Sequence, residues 1–422
     1  MPANFAPGVE HHVQSVNATK LRDLDAFEEF LWLVEQSVNV SHAVVVEVNG
    51  STTIGQWKNA LDAIQIRYPL LSASILKAPG TRPFFEKTRD VSMPLRIAPL
   101  LDSLVLEEEM EKELQRSFGD GSGPLTRATL FHGRDRSVVM FATHHSSMDG
   151  KSHLLLIQDL LAYVAGEDLG DPLEVQPGLG QLLGLPAPAE YVKKLEGRSV
   201  APEDGTRVEL PNVHLHRLQL GVEETELLLE RAREERTTVH AALVAALTMA
   251  GKRFSAEWNA APVRCMSPID MRRTLGIPDA IGVLISSHHA PVLTPEGASL
   301  WDIARTVRKD MLSAQSAYGA RHLLGALSFM VAEEHNAQDL YQYVLKGPSV
   351  HELMVTNYAG YQVRTEYGDL KIENLFTGSP SIIPDLQKVS VLTVNGRLGM
   401  TLVARDMFPT LLGDAREILT RV

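Results

Sequence analysis

Ser137-Val138-Val139-Met140-Phe141-Ala142-Thr143 runs straight into His144-His145-Ser146-Ser147-Met148-Asp149-Gly150. Five of the first seven residues are apolar, and the stretch is rich in strand formers. With Leu125–Phe131 and the turn at Gly133–Asp135, they predict paired strands. Beyond Gly150, Leu154, Ile157, Leu161 and Val164 recur at helical spacing as far as Ala165. A polar turn therefore joins a buried strand to an amphipathic helix.

A turn so placed projects polar side chains from a rigid base. A histidine there can serve as a general base, because its unperturbed pKa is about 6.5. Asp149 falls at the start of the helix, where a carboxylate is favoured. Gly150 permits close packing or unusual backbone angles at a tight junction. By themselves these residues also read as ordinary turn residues. His145 and Asp149, four apart, would further suit two metal ligands, although the nearby sequence offers no third. Ser146 and Ser147 imitate nucleophiles beside a histidine, but sequence neighbours rarely reach triad geometry.

Working outward, the first half alternates helix and strand patterns. Leu21–Val38 and Ile54–Tyr68 predict helices, the second ended by Pro69. His42–Val48 predicts a strand closed by the turn pair Asn49-Gly50, and Leu70–Leu76 and Phe84–Lys87 predict shorter ones. Leu104–Phe118 reads as a helix with a charged face. Residues 166–211 are rich in proline and glycine and predict a linker, with a short helix near Ala189–Glu196. The second half resumes with a strand at His214–Leu220 and helices at Glu223–Glu235 and Thr238–Arg253. Strands follow at Ala261–Pro268 and Val283–Ala290, then helices at Leu300–Gln315 and Arg321–Glu334. The last strands are expected at Val350–Asn357, Leu370–Leu375, Lys388–Val394 and Gly399–Val403, before a closing helix at Leu411–Arg421. The expected organisation is a lobe over 1–170, a linker over 171–211 and a second lobe over 212–422, each a mixed α/β layer.

With 422 residues, 44% of them apolar, the chain can bury full cores without staples. The formal net charge of −12 opposes binding to nucleic acid or anionic membranes, since both reward cations. Cys265 is the single cysteine, so no internal disulfide and no cysteine metal site is expected. It reads as a buried strand residue. No run reaches the roughly 18 apolar residues of a membrane span, and Met1–Glu10 lacks the pattern of a signal peptide. These features predict a soluble cytoplasmic protein. His214 and His216 share one face of a strand and His11-His12 lie near the terminus, both without partners in sequence. His288-His289 read as strand surface or channel wall. Basic clusters occur at Lys193-Lys194 with Arg198, at Arg231, Arg233 and Arg236, and at Arg272-Arg273; they read as solvated faces or as a patch for an acidic carrier.

His144-His145 followed by Asp149-Gly150, at this depth in the chain, resembles the condensation-domain superfamily. That group includes condensation domains of non-ribosomal peptide synthetases, chloramphenicol acetyltransferase-like enzymes and polyketide-associated acyltransferases of the phthiocerol dimycocerosyl transferase type. Other segments fit in the same order: Arg67-Tyr68-Pro69-Leu70-Leu71, the Ala-rich Val239–Met249, and Ser267-Pro268-Ile269-Asp270-Met271-Arg272. Ile281-Gly282-Val283 and Val355-Thr356-Asn357-Tyr358-Ala359-Gly360 continue the match over nearly the whole chain. The Asp-Phe-Gly-Trp-Gly motif of plant-type relatives is missing, which favours the polyketide-associated or condensation-like branch.

The resemblance implies two chloramphenicol acetyltransferase-like sandwich lobes forming a V with a tunnel between them. It implies that His145 is the catalytic base, with His144, Asp149, Gly150 and Arg272 supporting the site and Asp149 paired to Arg272. Ser286 and Asn357 are candidate channel-lining residues. No cofactor or metal is expected. The expected reaction transfers an acyl group from acyl-CoA or a phosphopantetheinyl carrier protein to a hydroxyl. Three alternatives remain: amide formation with an amine acceptor, thioester hydrolysis, and a non-catalytic module that binds a carrier protein. A monomer would suffice.

Overall fold

The computed structural model describes residues 19–78, 81–87, 92–186, 208–277, 280–332, 337–347, 350–358 and 360–421. The expected helix near Ala189–Glu196, the Lys193-Lys194 and Arg198 cluster, and His11-His12 lie outside the described residues.

The first half contributes strands β1 (Thr19–Asp23), β2 (His42–Asn49), β3 (Ala73–Leu76), β4 (Phe84–Lys87), β5 (Leu95–Pro99), β6 (Thr126–His132) and β7 (Arg136–Thr143). Its helices include α1 (Ala26–Ser37), α2 (Ile54–Arg67), α3 (Leu106–Leu114) and α4 (Gly150–Val164). The second half contributes β8 (His214–Gln219), β9 (Val263–Asp270), β10 (Ile285–Val292), β11 (Leu353–Asn357), β12 (Glu366–Tyr367), β13 (Leu370–Gly378), β14 (Gln387–Val394) and β15 (Arg397–Ala404). The strands form two six-stranded mixed sheets, ordered β12-β13-β2-β7-β6-β5 and β10-β9-β11-β14-β15-β8. A small sheet, β1-β4-β3, stands beside them.

The centre of the first sheet follows from composition. β2 and β7 are near-continuous runs of valine and other apolar residues, which suits strands covered on both faces. They pair antiparallel from His42 opposite Thr143 to Asn49 opposite Arg136. This register brings His42 to the same end of the sheet as the turn that follows β7. Helices α2 and α4 pack side by side, and Trp57 and Ile64 of α2 and Leu154, Ile157 and Leu161 of α4 enter the core completely. In the second lobe the Ala-rich helix Val239–Phe254 packs between helices Leu300–Met311 and Leu411–Thr420, where small side chains let the axes approach.

Two local expectations change. The helix expected from Leu21 starts at Ala26, because Asp25 accepts a hydrogen bond from Phe27 N and Glu28 reaches back to Asp25 N, a reciprocal cap that sets the boundary. The preceding Thr19–Asp23 pairs with β4 instead. The helix Ala337–Lys346 was not legible as a separate element.

The chain also crosses the boundary drawn at residue 212. β13 lies in the first sheet, antiparallel to β2, with Ile372 opposite Val48 and Gly378 opposite Ala43. Without it, β2 would leave an edge of unpaired peptide groups beside the core. The two large sheets touch where β13 ends. A Cβ on Gly378 would stand 2.8 Å from Val403 Cγ2 of β15 and 3.2 Å from the Met110 side chain. Among the described residues no helix is long and apolar enough to cross a membrane.

Gly378→Ala must force the two sheets apart at a stiff β-branched neighbour. The expected loss is about 1–3 kcal/mol in denaturant unfolding; an unchanged midpoint would show that the sheets can separate freely there.

Candidate active site

The turn between β7 and α4 is held from within. His144 O accepts hydrogen bonds from Ser147 N at 2.9 Å and Ser147 Oγ at 2.8 Å, and His144 N donates to Leu125 O at 2.8 Å. His144 Nδ1 accepts from Ser146 N at 3.2 Å, so its ring proton sits on Nε2 when neutral. His144 is fully buried and is absent from the cavity wall. Its neighbour His145 points the other way and lines a cavity of about 820 Å³.

His145 Nδ1 lies 3.0 Å from Met148 O. A carbonyl only accepts, so Nδ1 carries the proton and Nε2 carries the lone pair. Burial, followed by the charge of Lys388, lowers the His145 pKa to about 4. The ring is therefore neutral at pH 7, with Nε2 available to take a proton.

Asp149 does not share the cavity with His145. Its carboxylate caps α4 by accepting from Ser152 N at 2.8 Å and Ser152 Oγ at 2.8 Å. It also accepts from Leu284 N at 2.9 Å and from both terminal nitrogens of Arg272, at 2.9 and 3.1 Å. Burial by itself would raise its pKa, but the Arg272 charge and these hydrogen bonds outweigh that and hold the carboxyl below its usual range. Arg272 in turn donates to Ala280 O and Asp270 Oδ1. Both side chains of the pair are about 1% exposed. Asp149 N donating to Gly282 O at 3.1 Å, and Ser152 Oγ bonded to Gly282, complete a seam between α4 and the β9–β10 region. Gly150 packs directly against Tyr358: a Cβ there would overlap the Tyr358 hydroxyl.

Asn357 lines the cavity from β11. Ser286 does not, which corrects its assignment as a channel residue. Ile285, Ser287 and His289 of β10 line the wall, and strand alternation turns Ser286 to the opposite face, where it is fully buried. His289 lies 2.9 Å from Ser287 Oγ. Cys265 is buried on β9, with its thiol pushed up to about 12 by burial, so it is inert as a nucleophile. Among the described residues no three histidine, cysteine, aspartate or glutamate side chains are grouped to hold a metal ion.

Two cavity residues were not singled out from the sequence. His42, at the start of β2, stacks its ring 5.1 Å from that of His145 and 4.6 Å from that of His153. Thr377 Oγ1 donates to Ala43 O at 2.8 Å, so at 2.7 Å it accepts from His42 Nε2. Lys388 of β14 also lines the cavity. Its position beside Ser390 in an alternating strand reads, in sequence, as a solvent face.

The chain is similar to several known proteins. Residues 210–337 match the family described as phthiocerol/phthiodiolone dimycocerosyl transferase C-terminus. A 171-residue stretch is 25% identical to tyrocidine synthase 3 of Brevibacillus parabrevis; it covers 39% of this chain and only 2% of that much longer protein. Polyketide synthase associated protein 5 of Mycobacterium tuberculosis superposes with a TM-score of 0.68 at 18% identity, over 96% of this chain and 99% of its own. Trichothecene 15-O-acetyltransferase of Fusarium sporotrichioides gives 0.68 at 13% identity, over 96% and 95%. The first condensation domain of the CDA synthetase gives 0.65 at 16%, over 95% and 94%. The resemblance to the condensation-domain and chloramphenicol acetyltransferase-like superfamily is borne out, and the two-lobed α/β fold is that of these structures.

Arg272→Met leaves Asp149 charged and buried without its cation. A loss of about 3–5 kcal/mol in unfolding free energy is expected. Removing Asp149 as well should cost little more, since both changes break one interaction; additive losses in a double-mutant cycle would show that the two residues act separately.

Proposed function

We propose that this protein is an acyltransferase that moves an acyl group from a thioester to a hydroxyl, with His145 as the base. The observation that carries this reading is the His145 Nδ1 to Met148 O hydrogen bond, which leaves Nε2 unprotonated on a residue lining the cavity. The match to a dimycocerosyl transferase family and the shared fold with an O-acetyltransferase support the reaction class.

The chemistry asks for one proton carrier. The acceptor hydroxyl attacks the thioester carbonyl carbon while its proton passes to His145 Nε2. The tetrahedral oxyanion then re-forms the carbonyl and expels the thiolate, which takes the proton back from His145 as free thiol. Ester and thiol result, and the enzyme returns to its starting state. General base help of this kind contributes about 10²–10⁴-fold. No acyl-enzyme is needed, so Ser146 and Ser147, both buried, need no role as nucleophiles. Asp149 and Arg272 position the turn and touch no substrate in this scheme. The donor is acyl-CoA or an acylated carrier protein. One chain supplies both His145 and the pair that holds its turn, so a monomer suffices.

A second reading is kept because tyrocidine synthase 3 and a condensation domain are among the relatives. In it an amine replaces the hydroxyl and an amide forms. Mass spectrometry of the protein with a panel of acyl thioesters and mixed alcohols and amines separates the two. An ester formed by wild type and reduced at least about 100-fold in a folded His145→Ala variant supports the proposal. Undiminished turnover in that variant overturns the assignment of His145, an amide identifies the second reading, and free acid alone indicates hydrolysis.

The pH dependence is a separate check. The base works unprotonated, so kcat/KM should stay level from about pH 5.5 to 7.5 and fall only as pH drops toward the lowered pKa of about 4. An inflection near pH 6.5, where an unperturbed imidazole titrates, would contradict a buried neutral His145.

A further inference from the structure

Lys388 is an unusual cation for this cavity. The other cations on its wall are Arg273, which is exposed to solvent, and Lys151, which lies 3.4 Å from Asp270. The Lys388 ammonium donates to the neutral Ser379 Oγ. Among the described residues no carboxylate forms an ion pair with it, and burial is the one cause acting on its pKa, which falls to about 8. It therefore remains mainly protonated at pH 7. A partly buried ammonium without a counter-ion is costly, and its place on a cavity wall leaves room for an anion to complete the pair.

The surroundings define what brings that anion. The walls on the α1 side and on helices Ala317–Ala332 and Ala337–Lys346 are apolar, with Phe27, Leu31, Leu327 and Met330 among them. An anion that enters must ride on an apolar body. The charge of Lys388 is felt by both His145 and His42, so Lys388 shares their chamber and does not sit at a distant rim.

We propose that Lys388 is the docking point for a carboxylate carried by the hydroxyl acceptor, so that the acceptor is an apolar hydroxy acid. The word acceptor rests on the acyl-transfer reading above; the carboxylate site does not. A carboxylate seated on Lys388 offsets the field that depresses His145, so the bound acceptor raises the basicity of the group that will deprotonate it.

Calorimetric titration of the full chain with 8-hydroxyoctanoate and with 1,8-octanediol tests the site directly. The two probes share chain length and a hydroxyl and differ in the carboxylate. Wild type is expected to bind the acid at least tenfold more tightly than the diol. Lys388→Met, close in length and uncharged, should erase that preference, and Lys388→Arg should keep it even if the methionine variant folds poorly. Equal affinities in wild type, or a preference that survives in a folded Lys388→Met, overturn the proposal. The same titrations on His145→Ala, which removes the proposed base, should still favour the acid; the carboxylate site is thus judged whether or not acyl transfer is the reaction. Turnover then assigns the carboxylate's carrier. Faster esterification of 8-hydroxyoctanoate than of octanediol supports an acidic acceptor, and a preference only for thioesters of dicarboxylic acids overturns it in favour of an acidic donor.

Discussion

The buried pair of Asp149 and Arg272 is the interaction on which the arrangement of the cavity depends. One carboxylate caps α4, accepts the Leu284 amide and meets the guanidinium of Arg272, two residues beyond the end of β9. Charges this deeply buried are stabilising only with full hydrogen bonding, and here every carboxylate oxygen and most guanidinium donors are used. The consequence is geometric: α4 cannot slide against β9 and β10 without stranding a charge. The turn that carries His145 is the segment immediately before α4, so its position inherits that constraint.

Burial then divides the labour between adjacent residues. His144 turns into the protein and spends its backbone and Nδ1 on the turn; His145 turns to the cavity and spends Nδ1 on Met148 O. The surrounding rings of His42 and His153 are also held neutral by burial, so the chamber gathers imidazoles without accumulating positive charge from them at neutral pH. Lys388 is the exception, and its charge matters because few opposing charges screen it.

The His144–Gly150 turn was legible in the sequence because it is local: a strand pattern, a polar turn and a helix pattern lie within thirty residues. The mixed α/β class was legible for the same reason. Boundaries were less so where a cap, such as that formed by Asp25 and Glu28, competes with helical periodicity. Parity was the weak point in β10, since a one-residue difference decides that Ser287 and not Ser286 reaches the cavity. The polar face of β14 shows a different failure. Lys388 and Ser390 alternate with buried valines as a solvent-facing strand would, yet the space they face is a cavity inside the protein.

By itself, then, the sequence determined the elements and the identity of the turn, because periodicity and side-chain chemistry act between near neighbours. Tertiary structure decided the rest. It brought Arg272 to Asp149 across 123 positions of chain, laid Tyr358 over Gly150, passed β13 into the first sheet beside β2, and set His42 and Lys388 beside His145. Those contacts depend on which faces the sheets turn toward each other, and a linear pattern carries no record of a distance between residues that meet only after folding.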